Sequence, residues 1–156
     1  MDYYVDSGDI LMQKINFVVV GKLKETFYRE AVEEYVKRIS RFAKVEIKEI
    51  DEGKSLEAEA VDILKAQKGY VIALCVEGEK VSSEKFAKKI KSVVDRGEEL
   101  TFVIGSSYGL SDAVKKSAKE RISFSDMTFP HQLMRVILAE QVYRAFMILS
   151  GSTYHK

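Results

Sequence analysis

The sequence predicts an α/β fold: a parallel-rich sheet with helices on both faces. Two observations carry this. Short apolar runs rich in β-branched residues alternate with stretches of helical periodicity along the chain. The runs also end in glycine- or hydroxyl-rich loops, where open sheets of this kind place their ligands.

The elements follow in order. Lys14–Val20 (KINFVVV), ending at Gly21, reads as a buried strand. Between Glu25 and Ser40, Phe27, Tyr28, Ala31, Val32, Tyr35, Val36 and Ile39 make one apolar helical face opposite Lys, Arg and Glu. Val45–Ile50 alternates apolar and charged residues, a strand with one wet face. A polar helix spans about Ser55 to Gln67. Gly69 opens the apolar run Tyr70–Val76, closed by Glu77-Gly78-Glu79. Ser82 or Ser83 caps the next helix, which runs to about Val94 and stops near Gly97. Leu100–Ile104 is another buried strand. Ser111 caps a short helix through Lys119, and Arg121–Phe124 is a short strand. After the loop Ser125–Pro130, His131–Leu149 is the longest helix.

The bulk numbers fit a single domain over residues 1–156. The 156 residues are 46% hydrophobic and 31% charged, and one Pro with nine Gly leaves little room for linkers. No apolar run approaches the ~20 residues of a membrane span, and the first residues do not read as a secretory signal. Cys75, the only cysteine, reads as a buried thiol of a cytoplasmic protein. No Cys/His cluster has zinc spacing, so no metal is expected. Net charge is +1, but residues 113–156 carry seven Lys/Arg against three Asp/Glu. A basic C-terminal third can meet phosphates.

Three loops after apolar strands are the ligand candidates: Glu77–Lys80, Gly105–Gly109 and Ser125–Pro130. Gly105–Gly109 fits G-x-S-x-G and puts Ser107 where a nucleophile elbow would, with Asp126 and His131 or His155 following in triad order. Against a serine hydrolase stand the short chain, the lack of a glycine-rich oxyanion segment, and Asp126 and His131 in one loop. The glycines lack dinucleotide spacing. In the segment Phe124–His131, Phe124, Met127 and Phe129 can enclose an adenine or a methionine side chain, while Ser125 and Thr128 can bond a base edge. The last helix has His131, Gln132 and Arg135 on one side, Glu140, Gln141 and Arg144 on nearly the opposite one. That switch predicts different neighbours along its length, a second subunit included, and demands partners for the charges.

The string FSDMTFPHQ (Phe124–Gln132), then Met134-Arg135-Val136, Glu140-Gln141-Val142-Tyr143-Arg144-Ala145 and the ending Tyr154-His155-Lys156 closely resemble the ribosomal RNA large-subunit methyltransferase H family, of the SPOUT superfamily. The resemblance runs from about Lys14 to Lys156. It implies a C-terminal trefoil knot, S-adenosylmethionine as cofactor, a homodimer, and methylation of N3 of a pseudouridine in 23S rRNA within the ribosome. It also implies a cofactor site at Leu74, Gly105, Phe124, Ser125, Asp126, Met127, Thr128 and Phe129. The sequence departs from the family at Ser106, where a second Gly is usual, and between Ile50 and Gly69, which is shorter. Residues 1–11 read as an extension before Met12, which resembles the family's initiator.

Methyl transfer needs an acceptor held in line, and a pseudouridine N3–H must lose its proton. The candidate catalytic groups are His155, His131 and Arg135. Arg144, Tyr154 and Lys156 are the candidate RNA contacts. The tail, free after Gly151 and Ser152, is expected to fold toward an active-site mouth. Serine hydrolysis and a non-catalytic RNA- or nucleotide-binding domain are the competing readings.

Overall fold

The protein is described here by a computed structural model that covers residues 13–156. The proposed extension 1–11 and Met12 lie outside the described residues.

The elements are β1 (Gln13–Val20), α1 (Thr26–Ile39), β2 (Ala43–Ile50), α2 (Leu56–Ala66), β3 (Tyr70–Lys80), α3 (Ser83–Asp95), β4 (Leu100–Ile104), α4 (Asp112–Ser117), β5 (Glu120–Ser123) and α5 (His131–Leu149). All strand pairs are parallel, in the order β2-β1-β4-β3-β5. The α/β sheet expected from the alternation is therefore present. Side-chain alternation splits the core in two. Ile15, Phe17 and Val19 point toward α1, α3 and α5, whereas Val18 and Val20 point toward α2 and α4.

Local chemistry sets the element ends. Ser55, Ser82 and Ser111 each accept a hydrogen bond from the backbone N–H three residues on, capping α2, α3 and α4. Gly69 has φ +66°, and a Cβ there would come within 2.2 Å of the Glu99 carbonyl oxygen, so only glycine fits the entry to β3. The short helix α4 ends at Ser117, before Lys119, because the Lys119 N–H donates to Val71 (2.8 Å) and starts β5 beside β3. Strand β2 lies at the sheet edge with Lys44, Glu46 and Lys48 in water, and its other face, expected to be covered, is also exposed at Ile47 and Glu49 because no strand flanks it on that edge.

Helix α5 packs between α1 and α3. Phe146 stacks on Phe42 at 5.3 Å. Its polar residues change sides because its neighbours change. Arg135 reaches the carboxyl ends of β1 and β2, while Glu140 and Arg144 meet the C-terminal tail.

Strand β3 contains an interruption that shapes the site. Ile122 of β5 pairs with Leu74 and again with Glu79, and Ser123 pairs with Lys80. Residues 75–78 thus leave the ladder, and the chain returns to β5 at Glu79 and Lys80. Gly78 packs directly on β5. A Cβ there would fall 2.6–2.8 Å from the Arg121 and Ile122 backbone.

Candidate active site

The loops that follow β3, β4 and β5 enclose a cavity of about 720 Å³ at the carboxyl end of the sheet. One wall is Leu74–Glu77, a second is Gly105–Leu110, and Ile122–Ser125 with Met127–Met134 forms the floor and third wall. Among the residues expected to hold a cofactor, Leu74, Gly105, Phe124, Ser125, Met127, Thr128 and Phe129 line this cavity. Asp126 does not. Its carboxylate is largely exposed and pairs with Lys80 instead.

Each wall is held by a specific contact. Phe124 meets Phe86 of α3 edge-on at 5.3 Å. Ser123 Oγ donates to the Ser125 carbonyl (2.9 Å), and Ser125 Oγ accepts from the Met127 N–H (3.0 Å), which folds the floor into a compact turn. Gly105 is needed by its own loop, since a Cβ would lie 2.2 Å from the Gly109 carbonyl oxygen. Ser106 pairs with Gly109 across the same turn.

Ser107 is exposed at this turn, and among the described residues it has no hydrogen-bonded histidine. His155 is engaged elsewhere. A Ser–His–acid arrangement is therefore not assembled around it.

The last helix divides its expected catalytic residues. His131 and Met134 line the cavity. Arg135, 1% exposed, turns away from it. Its guanidinium donates to Glu49 Oε2 (2.7 Å) and to the Gly21 carbonyl (3.0 Å), while its Nε has no partner. Arg135 belongs instead to a separate groove with Lys22, Arg29, Val32, Ile47 and Glu49. In this arrangement it anchors the first turns of α5 to the ends of β1 and β2.

The tail also lies away from this cavity, folded over α3 and α5. The Tyr154 hydroxyl donates to Glu140 Oε2 (2.9 Å), and its ring meets Tyr143 edge-on at 4.9 Å. Burial, then the Glu140 carboxylate, push the Tyr154 phenol up to about 12. Arg144 bonds both Glu140 oxygens, lies 4.9 Å over the Tyr154 ring and reaches His155 Nδ1 at 3.1 Å. His155 Nε2 lies 2.6 Å from Glu84 Oε1 at the start of α3. Lys156 is exposed. The structure brings Arg144, Tyr154 and His155 together, but not with His131 or the cavity.

Several cavity residues escaped the sequence reading. Cys75, expected as a buried core thiol, is half-buried on the wall, and burial pushes its thiol up. Met134 was findable, one helical turn beyond His131. Tyr108, 85% exposed and within the ligand loop read from the sequence, and the expected site residue Met127, 71% exposed, stand at the mouth. Lys115 reaches across from α4 to pair with Glu77, a contact that no local pattern announces.

A cavity in the loops beyond a parallel sheet, with β5 paired to both ends of the 74–80 segment, fits a SPOUT methyltransferase. The chain belongs to that family: residues 13–155 match the family described as "Predicted SPOUT methyltransferase". It is 48% identical over 153 residues to a ribosomal RNA large subunit methyltransferase H of Caldicellulosiruptor saccharolyticus, covering 91% of this chain and 99% of that one. The protein of the same description from Levilactobacillus brevis is 48% identical over 157 residues, with the same coverage. Among solved structures, a probable methylase family protein from Haemophilus influenzae superposes with TM-score 0.58 at 12% identity, over 94% of this chain and 72% of that one. AviRb of Streptomyces viridochromogenes, a SpoU methyltransferase solved with AdoMet, gives 0.50 at 9% identity, over 94% and 63%. The last two establish shared fold alone.

Proposed function

We propose that this chain is an S-adenosylmethionine-dependent methyltransferase that modifies N3 of a pseudouridine in 23S rRNA, as a cytoplasmic homodimer acting on ribosomes. The observation that carries this is near-full-length identity of 48% with large-subunit rRNA methyltransferases H. The cavity fits the cofactor. Leu74, Ile104, Leu110, Ile122, Phe124 and Phe129 offer apolar surface for an adenine, and the glycine-bearing 105–109 turn and Ser125–Phe129 offer backbone groups. The pairing of β5 with both ends of the 74–80 segment, with Gly78 packed on its backbone, supports the trefoil knot, and the whole segment is one methyltransferase domain.

The bound cofactor supplies an electrophilic methyl group on a sulfonium. The chain's own residues hold the acceptor base in line with it and take the N3 proton. His131, on the cavity wall, is the proton acceptor this subunit offers. The tail, folded on α3 and α5, serves the cavity of a second copy. There His155 faces the base, and Tyr154, Arg144 and Lys156 contact RNA. Arg135 acts as a positioning residue for the α5 N-terminus. No helix among the described residues is long and apolar enough to cross a membrane, and none of their side chains group into a metal site.

The test is transfer of label from S-adenosylmethionine to ribosomes lacking the modification, followed by mapping of the modified base. Label at a pseudouridine of the large subunit is expected. Absence of transfer to ribosomes and to free rRNA alike would overturn the reading.

A further inference from the structure

Among the described residues, the cavity is lined by one carboxylate and one permanent cation, and each is the other's partner. Glu77, on the 74–80 loop, and Lys115, on α4, are the only such groups among its lining residues, and they form an ion pair across the wall. Lys115 is largely covered and Glu77 half exposed, with side-chain exposures of 26% and 57%. The carboxylate is thus held in place from behind and open in front.

We propose that Glu77 is the ribose-recognition residue of this site, accepting hydrogen bonds from the vicinal hydroxyls of an adenosyl ligand, with Lys115 as the brace that fixes its orientation. The proposal rests on the cavity being the adenosyl site. Three features carry it. First, a ribose diol presents two neutral donors side by side, and a carboxylate with lone pairs free is the acceptor that matches them. Secondly, Lys115 already neutralises Glu77. A further cation, such as an ammonium or sulfonium, would face the lysine's like charge, whereas a neutral diol adds donors without conflict. Thirdly, Glu77 cannot move away freely. The loop is fixed on either side, at Leu74 by pairing in the sheet and at Gly78–Glu79 by close packing on and pairing with β5. Lys115 in turn sits on a helix capped by Ser111, and its carbonyl accepts from Arg121 (2.8 Å). The Lys115 ammonium and the residue's own backbone N–H both hold Glu77 below the ordinary carboxylate range, so it remains an acceptor well into mild acid.

The test is calorimetric, on the intact protein with no RNA, comparing S-adenosylhomocysteine with its 2′,3′-dideoxyribose analogue. The wild type should prefer the natural ligand by about tenfold or more, the usual worth of a hydrogen bond to a charged acceptor. Glu77→Ala and Glu77→Gln should weaken S-adenosylhomocysteine but not the analogue, and so collapse the ratio toward one. Lys115→Met should retain a reduced preference. A merely structural ion pair would lower thermal stability in the variants and leave the ratio unchanged, which overturns the assignment. If the wild type binds neither ligand, the adenosyl reading of the cavity itself fails, and the proposal with it.

Discussion

At the scale of single residues, two charged groups show what the fold demands of them. Arg135 is buried in full, with Glu49 and the Gly21 carbonyl as its only hydrogen-bond partners among the described residues. Glu49→Ala leaves that guanidinium uncompensated. The expected loss is about 2 kcal/mol, below the ~3–5 of a fully buried pair because Glu49 is 38% exposed. Arg135→Met with Glu49→Leu should recover most of it, and a denaturant double-mutant cycle measures both. Tyr154 offers a second handle. Its phenol is about 12 in the folded protein against an ordinary 10.0, so the folded state binds that proton more tightly than the unfolded chain. The stability this contributes is complete below pH about 10 and is lost as pH rises toward 12. Alkaline tyrosinate absorbance should lose one late-titrating tyrosine in Tyr154→Phe and keep that of Tyr70, whose phenol burial and the Glu120 carboxylate also push up. Ser107→Ala should leave methyl transfer near wild type, because no base is bonded to that hydroxyl.

At the scale of elements, the turn Gly105–Gly109 and the tail carry the clearest expectations. Gly105→Ala puts a methyl group against the Gly109 carbonyl, so the turn must open. Both ligand affinity and melting temperature should fall, and calorimetry with a thermal melt separates this from a variant that loses affinity alone. Deleting Tyr154–Lys156 should abolish most turnover. It should also cost about 1–3 kcal/mol, since the Tyr154–Glu140 bond is removed from a charged acceptor. A tail free after Gly151, as the sequence alone suggests, would carry no such cost. What was legible in the chain was whatever depends on local pattern. The serine caps, the apolar strands and the bounds of α5 follow from residue type and spacing. The wall of the cavity was half legible: its loops were marked by glycine and hydroxyl residues, yet Lys115 and Cys75 belong to it only through tertiary placement. Arg135 looked like a catalytic candidate because a helix face read in isolation does not reveal which strand ends lie beneath it.

At the scale of the molecule, the sheet joins distant segments. Asn16 of β1 bonds Thr101 of β4 across 85 positions, so the central strand pair cannot close until two thirds of the chain is available. The charge excess of the C-terminal third lies mostly from α4 to β5, in Lys115, Lys116, Lys119 and Arg121 against Glu120, with Arg135, Arg144 and Lys156 against Glu140 on α5 and the tail; sedimentation at micromolar protein should find the proposed dimer, and a monomer would remove the route by which the tail serves a cavity. The pairing of β5 with both ends of the 74–80 segment has a further consequence. The wall Leu74–Glu77 and the floor Ile122–Phe129 come to face each other only after β5 has docked there. Ligand capture is therefore a certificate of assembly. Nascent chains ending before Phe124 should retain no adenosyl ligand, while chains extended through α5 should retain it, and the moment of capture would time the final step of folding.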